Sequence, residues 1–119
     1  MMPGLRSSRG MESLSKALTD IVLISRLVLE GEALEFTHVD RASLDDLVER
    51  CPRESPCYVS AKGASGTLHL LVYRGYVVAA SFRRGLGWAT GSDALREAET
   101  LEDVDVTVVE VPRSLLPQE

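Results

Sequence analysis

The chain has no asparagine, one glutamine (Gln118), one tryptophan (Trp88) and two cysteines in 119 residues. Each scarcity removes a class of explanation. Two cysteines cannot build the disulfide framework of a small secreted domain, and the five residues between Cys51 and Cys57 give neither a Cys-x-x-Cys redox motif nor a zinc pattern. His38 and His69 are the only histidines and neither has a ligand within a few residues, so no metal or other cofactor is expected. Long hydrophobic runs are missing too. The longest, 21–29, is broken by Ser25 and Arg26 and falls short of the about 20 residues a membrane-spanning helix needs. Basic charge is in deficit, with 18 acidic residues against 13 basic ones and a net charge of -5, which gives no support for a nonspecific grip on nucleic acid or an anionic membrane.

Residues 1–10 are basic but lack the apolar core of a secretory signal, which makes the cytoplasm the expected compartment. Few amide side chains and basic charge carried mostly by arginine fit a thermophilic prokaryote, or equally a GC-rich genome. In an ordinary cytosol Cys51 and Cys57 would be reduced; in a thermophile they could close a loop as a disulfide. With 45% hydrophobic residues the chain can bury one core, which places a single domain over 12–112 between an N-terminal extension, 1–11, and a tail, 113–119.

The expected fold class is α+β, a small antiparallel sheet centred on a hairpin at 67–82 and packed with helices near 12–29, 43–51 and 92–101. The first helix carries Leu14, Ala17, Leu18, Ile21, Ile24 and Val28 on one stripe, although the β-branched run at 21–24 leaves a strand at 20–29 open. Leu34 to Val39 alternates as a strand. Ser43 then stands as N-cap with Asp46 in the capping-box position, ahead of a buried stripe at Leu44, Leu47, Val48 and Cys51. A short strand at 58–61 leads to the hairpin, which reverses at Arg74-Gly75. Both of its strands are apolar on both faces, so either both faces are covered or one is kept for a partner. Residues 83–91 read as a loop, 92–101 as a helix with Ala94, Leu95, Ala98 and Leu101 inward, and 104–111 as a final alternating strand.

No catalytic constellation is present, which points away from an enzyme. Arg83, Arg84 and Trp88 are residue types that dominate protein interfaces, and with Tyr73, Tyr76 and Phe82 they are the interface candidates. The glycine-rich stretch with Arg83, Arg84, Gly85, Gly87, Gly91 and Ser92 offers an alternative, a nucleotide or anion site at the start of a helix, although Gly-x-Gly-x-x-x-Gly is not the dinucleotide fingerprint.

Four further segments carry a family resemblance. Leu44-Asp-Asp-Leu-Val48 on a helix, Gly66-Thr-Leu-His-Leu and Tyr73-Arg-Gly-Tyr-Val-Val-Ala-Ala80 on strands, and Gly91-Ser-Asp-Ala-Leu95 on a helix resemble the PATAN-like domains of prokaryotic signalling proteins. The resemblance spans about 32–112 and implies a non-enzymatic interaction module. A roadblock-like dimerisation fold is the second resemblance, with a poorer match of element order. The function expected is therefore a protein-interaction or regulatory module that self-associates, with small-ligand binding through 83–92 as the alternative.

Overall fold

The computed structural model describes residues 15–16, 19–97 and 100–112. Their dominant feature is one six-stranded sheet in which every neighbouring pair is antiparallel. In chain order the elements are α1 (Ile21–Glu30), β1 (Glu32–Ser43), α2 (Leu44–Glu49), β2 (Cys57–Gly63), β3 (Gly66–Tyr73), β4 (Tyr76–Arg84), β5 (Gly87–Thr90), α3 (Ser92–Glu97) and β6 (Thr100–Glu110). In space the strands run β1-β6-β2-β3-β4-β5. The last strand thus enters between the first two, and the expected hairpin, β3–β4, sits off-centre.

Alternating side chains divide the sheet into two apolar faces. One collects Val59, Ala61, Leu68, Leu70, Val72, Ala80, Phe82, Val104, Val106 and Val108, and it is covered by Leu47 of α2 and Ala94 of α3. The other collects Tyr58, Leu71, Ala79, Val109 and Val111 under Leu27 of α1, with Leu23 and Ile24 beside it. The two-faced hairpin therefore has cover on both sides from within the chain. Burying Leu27 completely contributes about 2 kcal/mol to holding α1 down.

Local chemistry explains where elements begin. The Ser43 hydroxyl accepts from the Asp46 amide and the Asp46 carboxylate accepts from the Ser43 amide, a reciprocal pair worth about 1 kcal/mol. This holds the Asp46 carboxyl below its usual range, through the backbone bond first and the hydroxyl second. Arg74 and Gly75 take φ of 54° and 81°, the left-handed pair a tight hairpin needs.

Four expectations change. The segment 12–29 is not one helix: Asp20 caps a new start by accepting from the Val22 amide, which also excludes a strand at 20–29. Within α1 the buried position is Leu27, while Val28 is exposed, because the break resets the helical phase; Leu14, Ala17 and Leu18 lie outside the described residues. Residues 83–91 are not a loop but the turn of a second hairpin and the short edge strand β5, with Arg84 opposite Gly87. Leu101 belongs to β6, not to the helix before it, and pairs with Ala42. Strand β1 runs twelve residues where six were expected. The expected extension and tail, 1–11 and 113–119, also fall outside the described residues. No described helix is long and apolar enough to cross a membrane.

Candidate interaction surface

Strand β1 forms one border of the sheet and β5 the other. Exposed strand edges carry unpaired amides and carbonyls that can take a further strand, and proteins usually shorten or blunt them. With four residues, β5 is short. By contrast β1 has twelve residues, no proline and no lysine, and among the described residues no strand pairs with its outer side. Its even-numbered side chains Leu34, Phe36 and His38 are exposed, Phe36 at 77%, while Glu35, Thr37 and Val39 are half-buried. Leu29, at the end of α1, is exposed as well.

His38 lies on this strand between two carboxylates of β6. Its Nε2 donates to Asp103 at 2.6 Å and its Nδ1 to Asp105 at 2.8 Å. Both ring nitrogens donate at once only in the imidazolium form, and the Asp105 bond, then the Asp103 bond, raise its pKa above 6.5. A raised histidine stabilises the fold fully below its unfolded value and loses that contribution as pH rises through the folded value. An NMR titration is expected to place the His38 midpoint above 6.5, and Asp105→Asn to lower it; an unshifted midpoint would contradict the clamp.

Arg83 and Trp88 face each other across the β4–β5 ladder, with the guanidinium carbon 5.6 Å from the ring centre. Trp88 also packs on His69 at 5.7 Å, and His69 on Tyr58 at 5.9 Å. The Tyr58 hydroxyl and His69 Nδ1 share a hydrogen bond of 2.6 Å, whose direction follows the ring tautomer. Burial, and secondarily the Arg83 charge, push His69 down to about 4, so the ring is neutral. Burial pushes the Tyr58 phenol up to about 12 against an opposing Ser60 hydrogen bond. This is a satisfied polar pair under an aromatic lid. The sequence placed His69 on a strand but could not show that Tyr58, eleven residues earlier, stands beside it across the β2–β3 ladder.

The predicted interface residues do not form one patch. Phe82 is a core side chain, 1% exposed, so its place among them is corrected: it points to the α2–α3 face while Arg83 points to the other. Tyr73 and Tyr76 flank the β3–β4 turn, whereas Arg83, Arg84 and Trp88 lie at the opposite end of that hairpin. Arg84 pairs with Glu97 at 2.8 Å, and the Arg83 Nε donates to the Gly85 carbonyl at 3.0 Å.

The alternative anion site loses its geometric basis. Gly85 and Gly87 are spent on the hairpin, the Gly91 amide donates to the Ala80 carbonyl at 2.9 Å, and Ser92 opens a helix of only six residues. Two depressions lie elsewhere on the described surface. One, of about 410 Å³, is lined by Glu30, Glu32 and Glu110 among others; the second lies beside Cys51 and Arg53.

Cys51 and Cys57 form a disulfide, which ties the segment after α2 to the first residue of β2. That resolves the two readings left open by their spacing. Among the described residues no group of three or more His, Cys, Asp or Glu side chains could hold a metal ion.

No protein-family model, curated protein or solved structure matches this chain.

Proposed function

We propose that this chain is a non-enzymatic protein-interaction module of the cytoplasm that self-associates by adding a strand at the outer edge of β1. The observation that carries this is the length of that edge: twelve residues without proline or lysine, interrupted by one bulge between Ala33 and Glu35, unpaired on the outer side among the described residues and with Phe36 exposed on it. Strand addition draws its affinity from main-chain hydrogen bonds and its selectivity from alternate side chains. The PATAN-like resemblance agrees with an interaction role and supplies no site residues. The hairpin faces contribute little to such a contact, because helices of the chain already cover them.

Light scattering over a concentration series tests the proposal. The unmodified chain is expected to form dimers. Phe36→Lys is expected to weaken association about tenfold or more by placing a solvated charge on the edge. Since Phe36 is largely exposed, the same change should alter folding stability by no more than about 0.5 kcal/mol. A wild-type monomer at every concentration, or a dimer indifferent to Phe36→Lys, would refute strand addition at β1.

A further inference from the structure

Which residues of β1 turn outward follows from a contact at the end of the neighbouring β6–β2 ladder. The Val111 amide donates to the Pro56 carbonyl at 2.9 Å, one pair beyond Cys57 opposite Glu110. In an antiparallel ladder, hydrogen-bonded and non-hydrogen-bonded pairs alternate. Val109, Thr107 and Asp105 therefore bond towards β2, and Val108, Val106 and Val104 bond towards β1. Opposite these stand Glu35, Thr37 and Val39. Their amides and carbonyls are used within the sheet. Those of Phe36, His38 and Asp40 point out from its border.

Two copies pairing these edges antiparallel about a twofold axis keep like faces together only if residues of the same side-chain parity meet. Three central registers satisfy this condition, centred on Phe36, Thr37 or His38. The Phe36 register sets the outward groups of His38 against the bulge between Ala33 and Glu35, where the strand is irregular, and the His38 register sets two imidazolium rings against each other. Like charges directly opposed are destabilising. The Thr37 register opposes none. It places Phe36 beside His38 of the second copy, Glu35 beside Val39 and Thr37 beside Thr37, with the bulge at Leu34 outside this central stretch.

We infer that the partner on the β1 edge is a second copy of this chain, in the antiparallel register centred on Thr37, with Phe36 of each copy laid against His38 of the other. This rests on the self-association proposed above and adds its register. The aromatic ring then meets a cation already held by Asp103 and Asp105, and the outward groups of Phe36 and His38 bond to each other across the axis.

Cysteine cross-linking reads the register directly. Thr37 would form the central non-hydrogen-bonded pair, the closest Cα approach in the ladder and one that suits a disulfide. Single variants Phe36→Cys, Thr37→Cys and His38→Cys are treated with oxidised glutathione, and covalent dimer is followed on non-reducing gels. Light scattering under reducing conditions checks that each variant still associates, and circular dichroism that each is folded; Thr37→Ser is the conservative control. Thr37→Cys is expected to cross-link about tenfold faster than the other two. A non-covalent dimer whose fastest cross-link is at Phe36→Cys or His38→Cys overturns the register and leaves strand addition standing. A wild-type monomer overturns both.

Discussion

Lowering the pH from 7 to 5 is expected to cost the fold about 2 kcal/mol through His69 alone. The direction follows from the sign of the shift. Unfolded, the imidazole titrates near 6.5; folded, burial among Tyr58 and Trp88, with Arg83 nearby, holds it at about 4. Between those values the unfolded chain binds the proton and the folded chain does not, so stability present above 6.5 is lost as pH falls towards 4. Urea unfolding of the wild type and of His69→Phe at pH 7, 6 and 5 isolates the effect from carboxylates that titrate in both proteins. The variant keeps a ring in the stack and should show a flatter dependence. Equal slopes would mean that the ring takes up its proton without unfolding the pair. The two histidines thus act with opposite sign: His38 gains from acid what His69 loses, but His38 is exposed and solvent screens its contribution.

A second large effect is expected from one methyl group. Gly66 opens β3 at φ 151°, a conformation that L residues rarely adopt, and an added Cβ would lie 2.3 Å from the Arg83 carbonyl oxygen and 2.7 Å from Phe82 Cζ. The first of these is backbone of the neighbouring strand and cannot swing aside. Gly66→Ala is therefore expected to destabilise by about 3 kcal/mol or more, through strain and overpacking together. Gly85→Ala is the informative control. It also has positive φ, 60°, but nothing lies within 4 Å of the added carbon, so only the left-handed conformation is charged, about 1 kcal/mol. Thermal unfolding of both variants checks the order; equal losses would show that the close approach to Arg83 relaxes freely.

Local chemistry was legible in the sequence and distant pairing was not. The Ser43–Asp46 capping box, the Arg74-Gly75 reversal and the alternation from 34 to 39 each depend on residues within a few positions, and each appears as expected. Strand β5 was hidden because glycines at both ends of Trp88-Ala-Thr mimic a loop, and only its pairing to β4 makes it a strand. Leu101 fits helical spacing from Leu95 and Ala98 as well as it fits the strand it joins. Phe82 looked like an interface aromatic because alternation does not say which face is core. The β1 edge was invisible for the same reason: whether a strand borders a sheet depends on its place in the order, which no local pattern encodes.

The place of β6 also bears on how the chain is made. A ribosome releases β1 before β2 to β5 and β6 after them, yet β6 is the strip that joins β1 to the rest of the sheet. Until it emerges, β2 to β5 can zip together by neighbouring turns, while β1 waits with both borders open. Closing the span from 32 to 110 costs loop entropy before any of its contacts are gained, so the pairing of β1 with β6 is the contact of longest range in the sheet. If the chain self-associates through β1 as proposed, the β1 strands of two nascent chains would be open to each other during that wait, before the monomer is complete.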